Sequence, residues 1–416
     1  MTLSLPPGVD HAPSGSWRTM TQHRAWLDAE CQRLLRFSPD PRHPLGGFAW
    51  LDASGSAVPD RPVLTWITAR MAHVHALATL RGIPGSAALV DHGVAALSGP
   101  LHDDRYGGWH HRLEPDGSAS GRKEAYTHAF VILAASSAVA AGRSGATDLL
   151  DDALAVFDDR FWEPEAGRVT ESFAGDFSDE QDYRGANSNM HTVEALLAAG
   201  DVTGEPRWHD RALGIAEHLI DEVARAHGWR LVEHFDSDWS PQLEHNADAL
   251  DDPFQPYGTT VGHWLEWSRL LLHLEASLPS SPTWLLEAAT ELFSASVRIG
   301  WSADGQPGFP YTLDWQDRPV VTARMHWVMA EAIAAAAALH ERRGDPAVEA
   351  WYRCFWDYTE AHIIDRVSGS WHHELDADLR PASGTWGGKP DLYHAVQATL
   401  LPQMQLAPSL AAQLAG

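Results

Sequence analysis

Six histidines are the residues best suited to chemistry in this chain. His73, His128, His191, His263, His326 and His394 recur roughly 55–70 residues apart, each after a polar run and before an apolar one. Imidazole is the side chain whose ordinary pKa lies nearest neutrality, so it can take up a proton and hand it back. If each histidine opens a helix, the positive end of the helix dipole favours the neutral ring, which is the form a base needs. Two of them are followed at three residues by a glutamate on the same helix face, Glu194 after His191 and Glu266 after His263. A cup of His, Glu, Arg, Asn, Tyr and Trp would suit a polyhydroxyl ligand, with aromatic faces for sugar C–H surfaces and fixed donors and acceptors for hydroxyls. Not every histidine is needed for that. His73 and His128 are read as structural, and the doubled His110-His111 and His372-His373 as strand residues.

The elements that position these residues repeat with them. Ahead of each histidine stands a segment with an aromatic residue, in most copies beside glycine: Gly46-Gly47-Phe48-Ala49-Trp50, Gly107-Gly108-Trp109, Arg160-Phe161-Trp162, His227-Gly228-Trp229, Ile299-Gly300-Trp301 and Gly369-Ser370-Trp371. Most run into Asp, Glu or Gly turns, the pattern of a short hairpin. Before each hairpin comes an amphipathic stretch such as 146–157, 208–223, 284–297 or 347–364. The unit is outer helix, hairpin, inner helix, repeated six times. Twelve helices, alternately half-polar and mostly apolar, predict an all-α (α/α)6 barrel with short β-hairpins in the connections. An open solenoid is the alternative, and neither end carries the polar capping repeat it would need.

Composition agrees with one catalytic domain over 1–416. Thirty Lys+Arg against 56 Asp+Glu give a net charge of −26, which argues against nucleic acid or an anionic membrane as partner. No run approaches twenty apolar residues, and the first residues lack the pattern of a signal peptide, so a cytoplasmic protein is expected. Cys31 and Cys354 are too few for a disulfide framework, and they sit on the first and sixth outer helices, which become neighbours only if the barrel closes. His-Glu-x-x-His, Cys-x-x-Cys, phosphate-loop and dinucleotide patterns are missing, so neither metal nor cofactor is expected.

Four segments resemble the N-acylglucosamine 2-epimerase superfamily: Leu64-Thr65-Trp66-Ile67-Thr68-Ala69-Arg70-Met71, Asn187-Ser188-Asn189-Met190-His191, Gly262-His263-x-x-Glu266-Trp267 and Asp391-Leu392-Tyr393-His394. The resemblance is closer to the aldose–ketose isomerase branch and spans nearly the whole chain. It implies the same (α/α)6 barrel and a monosaccharide substrate, with D-mannose and D-fructose (or D-lyxose and D-xylulose) interconverted through an enediolate. His394 would move the proton between C2 and C1, and His263 would open the ring. Glu266 and Glu331 would orient those histidines or hold hydroxyls, while Arg70, Tyr126, Asn187, His191, Trp327 and Trp386 would line the pocket. The sulfoquinovose isomerases of this branch carry arginines before the Gly-His motif and a glutamine before Asp-x-Tyr-His. Here those places hold Pro253-Phe254-Gln255 and Pro390, which favours a neutral hexose. Mannose/glucose 2-epimerisation passes through the same intermediate and stays open, as does glycoside hydrolysis by a carboxylate pair, which (α/α)6 barrels also host. The oligomeric state is not legible.

Overall fold

The computed structural model describes residues 3–385 and 387–416, so Trp386 lies outside the described residues. The chain runs through α1 (Thr21–Leu35), α2 (Thr65–Leu80), α3 (Ser86–Leu97), α4 (Ala125–Ala140), α5 (Ala146–Val156), α6 (Ala186–Thr203), α7 (Pro206–Ala216), α8 (Val261–Ser277), α9 (Trp284–Ala295), α10 (His326–Arg343), α11 (Pro346–Tyr358), α12 (Tyr393–Leu400) and α13 (Leu410–Ala415). Composition sorts the first twelve into two rings. The even-numbered helices are inside: every residue of α2 from Thr65 to Ala78 is buried, and the alanines 334–338 of α10 let neighbouring backbones approach. The odd-numbered helices are outside and two-faced. In α5, Leu149, Leu150, Ala153 and Leu154 face inward, while Asp148, Asp151 and Asp152 remain in water.

Inner helices turn into outer ones over short links. Gly204 and Gly344 end α6 and α10 in the left-handed region, at φ 70° and 65°, where a side chain would be strained. Pro206 and Pro346 then open α7 and α11 at the first helical position, where the missing N–H costs nothing. The longer outer-to-inner connections carry the expected hairpins, for example Trp50–Leu51 against Ala57–Val58 and Trp162–Glu163 against Arg168–Val169. They also do something the repeat pattern did not predict. The two residues before an inner helix pair with a strand of the next connection: Val63–Leu64 with Arg112–Leu113, Lys123–Glu124 with Ser172–Phe173, Arg184–Gly185 with His234–Phe235, Thr259–Thr260 with Thr312–Leu313, and Arg324–Met325 with Glu374–Leu375. Neighbouring helix N-termini are thereby stitched together at one mouth. For this reason α2 starts only at Thr65, since Val63 and Leu64 are committed to a strand.

The ring closes, which excludes the open solenoid. α12 packs on α10, α2 and α1. Outer helices α1 and α11 meet through Trp26 and Trp356, with ring centroids 5.0 Å apart, and through His23 Nε2 and the Tyr352 hydroxyl at 2.8 Å. Cys31 and Cys354, carried by these two neighbours, are free thiols, and burial pushes Cys354 up to about 12. α13 lies over the opposite end of the barrel, against α2, α4 and α6. Among the described residues no helix is long and apolar enough to cross a membrane.

Burial makes the histidines a measurable part of stability. It draws His73, His75, His191, His234 and His326 down from 6.5 to about 4, and His128 to about 3. Each is neutral in the fold and becomes protonatable on unfolding, so its contribution is present above pH 6.5 and is lost as pH falls toward the folded value. Each such group adds a slope of about 1.4 kcal/mol per pH unit in that window. Burial raises Glu171 (to about 7), Glu266 and Glu331, which work in the opposite direction but are fewer. The urea midpoint is therefore expected to fall steeply between pH 6.5 and pH 5. A midpoint that is flat or rising over that range would contradict the buried, neutral state of these rings.

Candidate active site

The mouth holds a cavity of about 750 Å³, counting the space open to solvent, and the helix starts converge on it. Arg70 (α2), Tyr126 (α4), Asn187 and His191 (α6), His263 and Glu266 (α8), Trp327 (α10) and His394 (α12) all line it. Of the residues singled out in the sequence, Glu331 stands one layer below, hydrogen-bonded to His394. Several lining residues were not expected. His373 precedes the strand Glu374–Leu375 and stacks on His326 with centroids 3.8 Å apart, so it belongs to the cup and not to a strand. Asp391, Tyr311, Pro253 and Phe254 complete the wall.

Each of the two histidines assigned to chemistry is held by a carboxylate. His394 is the second residue of α12, and Asp391, one residue before the N-cap Leu392, accepts the Tyr393 backbone N–H at 2.9 Å. Its Nδ1 lies 3.1 Å from Glu331 Oε1. A carboxylate only accepts, so the proton is on Nδ1 and Nε2 keeps a lone pair. Burial, then the charge of Arg70 and the proximity of His326, hold His394 well below its ordinary 6.5, so the ring is a free base at neutral pH. His263, the third residue of α8, places Nδ1 2.9 Å from Glu233 Oε2, while Glu233 Oε1 accepts the Thr260 backbone N–H at 3.0 Å. Glu233 is the partner that sequence reasoning missed. It stands 30 residues before His263 in the preceding connection, where no helical spacing marks it.

Trp327 separates the two pairs. Its rings lie 5.1 Å from His263 and 5.8 Å from His394, tilted about 35° or less to each. Gly262 makes room for it: a Cβ there would sit 2.4 Å from Trp327 Cζ3. On the far wall Arg70 donates to the Tyr126 hydroxyl at 2.9 Å and to Asp391 Oδ2 at 3.3 Å, with its guanidinium against the rings of Trp66, Phe130 and Tyr393. Burial pushes Tyr126 up to about 12, so its phenol keeps its proton.

Beneath the cup, Arg269 of α8 gathers three buried glutamates. It is 2.9 Å from Glu331, 3.5 Å from Glu266 and 3.6 Å from Glu194. Glu194 in addition accepts from the Tyr393 hydroxyl and, at 3.4 Å, from Gln397. His191, Glu194 and Glu266 place one nitrogen and two carboxylate oxygens within 4.8 Å of one another, a spacing a divalent ion could use. The cation among them is already the Arg269 guanidinium.

Inner-helix N-termini that present two imidazole–carboxylate pairs to a polar, aromatic-walled cup define a class: an (α/α)6-barrel protein built for proton transfer on a polyhydroxyl ligand. The chain belongs to the N-acylglucosamine 2-epimerase (GlcNAc 2-epimerase) family, whose model matches residues 46–398. It is 56% identical to the D-mannose isomerase of Thermobifida fusca over 96% of this chain and 98% of that protein. The D-mannose isomerase of Pseudomonas cannabina pv. alisalensis is 52% identical, over 96% and 97% respectively. A solved D-mannose isomerase structure superposes with a TM-score of 0.86 at 26% identity, covering 94% of this chain and 99% of that one.

The Glu233 contact generates a test. Glu233→Gln keeps an acceptor for His263 Nδ1–H but removes the charge that stabilises the protonated ring. Its kcat is expected to fall, by less than the roughly 10²–10⁴-fold associated with losing the His263 acid–base group outright. Steady-state kinetics of Glu233→Gln beside His263→Ala checks this, and an unchanged kcat for Glu233→Gln would remove Glu233 from the site.

Proposed function

We propose that the protein is an aldose–ketose isomerase that interconverts D-mannose and D-fructose, and that all of 1–416 serves as its catalytic domain. The observation that carries the reading is the His394–Glu331 pair, a base kept neutral by burial and oriented by a buried carboxylate, facing the same cavity as His263–Glu233. The D-mannose isomerases to which this chain is 56% and 52% identical supply the substrate.

In this reading His263 transfers the ring-opening proton between the anomeric hydroxyl and the ring oxygen. His394 Nε2 then takes the C2 hydrogen of the open-chain aldose. The electron pair left on C2 spreads to O1, and the negative charge of that enediolate falls toward Arg70, whose Nε is buried without a hydrogen-bond partner. Returning the proton to C1 yields the ketose. Trp327, Asn187 and His191 hold the sugar's hydroxyls and C–H faces. Among the described lining residues Arg70 is the one Lys or Arg, and it is already paired with Asp391. That charge balance favours a neutral hexose or pentose, such as D-lyxose, over a sulfonated or phosphorylated one. The free thiols of Cys31 and Cys354 fit a reducing, cytoplasmic location.

The test is D-mannose in D2O followed by NMR. Fructose is expected, carrying deuterium at C1 to the extent that the proton held on His394 exchanges with solvent, in protein dialysed against EDTA as well as in untreated protein. Glucose as the main product would make the protein a 2-epimerase, and no conversion would refute the reading. His394→Ala should lower isomerisation about 10²–10⁴-fold, on cyclic sugars and equally on an aldose that cannot cyclise. His263→Ala should recover in part on the latter. The reverse pattern would exchange the two roles. Because His394 stays unprotonated as pH falls through 6.5, the acid limb of the wild-type pH–rate profile should lie below that value.

A further inference from the structure

Moving a carbonyl from C1 to C2 shifts two protons. One passes between C2 and C1, and the other between O2 and O1. Accepting the isomerase reading above, His394 accounts for the carbon-bound proton and leaves the oxygen-bound one without a carrier.

The three glutamates around Arg269 are not equivalent. Glu331 receives Arg269 Nε at 2.9 Å and His394 Nδ1 at 3.1 Å. Glu194 receives the Tyr393 hydroxyl, Gln397 Nε2 at 3.4 Å and, at 3.6 Å, Arg269. Glu266, only 1% exposed, has among the described residues a single donor, Arg269 Nη2 at 3.5 Å, while the unpartnered Nδ1 of His191 stands 3.8 Å away. Three carboxylates against one guanidinium leave an excess of buried negative charge, and a proton relieves it best where the fewest donors compensate the anion. Burial and the neighbouring Glu331 accordingly push the Glu266 carboxyl well above the ordinary carboxylate range. Glu266 is also the one of the three that lines the cavity.

We propose that Glu266 is a neutral carboxylic acid that carries the hydroxyl proton between O1 and O2 of the substrate. As His394 removes the C2 hydrogen and the C1=O bond opens, the negative charge gathering on O1 is met by the Glu266 proton, so the transient enediolate becomes an enediol beside the Glu266 carboxylate. The carboxylate next takes the O2 proton as C2=O forms, and protonated His394 delivers its proton to C1. Both groups end as they began, and no other reactant is consumed.

Glu266→Gln separates this role from simple support. The amide fills the same space and can donate a hydrogen bond, but it cannot pass on a proton. With D-mannose in D2O, NMR of the recovered mannose reports exchange at C2, and NMR of the product reports fructose formed. Fructose formation should fall about 10²-fold or more, with C2 exchange persisting, so that the ratio of exchange to isomerisation rises at least about 10-fold. A proportional loss of both, or fructose formation near the wild-type rate, overturns the proposal. Should Glu266→Gln not fold, Glu266→Asp, which keeps a proton carrier at longer reach, is expected to slow fructose formation without raising that ratio, and a raised ratio in that variant overturns it. If the wild-type protein forms no fructose, the failure lies with the isomerase reading and not with Glu266.

Discussion

The arrangement of this site depends on one buried cation. Arg269 reaches from α8 to Glu194 on α6 and Glu331 on α10 while lying beside Glu266 on its own helix, so three successive inner helices share one guanidinium. A buried carboxylate without a partner is too costly to keep charged, and three together would not stay ionised. Arg269 makes the cluster tolerable and in doing so orders what lies above it. Glu331 is aimed at His394 because its other oxygen is engaged by Arg269. Glu194 is placed to receive the hydroxyl of Tyr393, the residue next to His394. Planar donors in a fixed fork suit arginine to this task, which the single ammonium of lysine could not perform.

The mouth of the barrel answers a different constraint. Helix N-termini leave backbone N–H groups unpaired, and six of them gathered around one cavity have to be held in register by something other than helix packing. The strand pairs that link one connection to the next provide that hold, and Asp391 supplies a side-chain acceptor at α12. The mouth that results is dry, and burial is the largest cause of the lowered histidine pKa values there. A neutral imidazole is stable there and a protonated one is not, which is the condition a base near neutral pH requires.

Much of this was legible in the chain. The recurrence of His73, His128, His191, His263, His326 and His394 before apolar runs indicated six inner helices, and His191, His263, His326 and His394 meet at one mouth, whereas His73 lies deep in α2 and faces the cavity under α13 at the other end. The resemblance in the segments around Arg70, Asn187, His263 and His394 pointed to the family to which the chain belongs. Other features had no local signature. Glu233 lies in a connecting segment 30 residues from His263, His373 looked like a strand residue, and Arg269 meets Glu331 across 62 residues. The pairing of each helix entrance with the following connection was likewise invisible, because two-residue strands are too short to show an alternating pattern.

By itself the sequence determined the periods: which stretches are helical and which helices are apolar on all sides. Those are properties of residues a few positions apart, where helical geometry alone places side chains on a common face. Tertiary structure alone decided the partners. Arg70 meets Asp391 across 321 residues, Glu331 meets His394 across 63, and Trp371 bonds Glu30 across 341 because the ring closes. Whether Glu266 holds a proton depends on Arg269 and on two carboxylates from other helices. Such a charge balance exists only once distant segments share one dry volume, since in water each of these groups would ionise on its own.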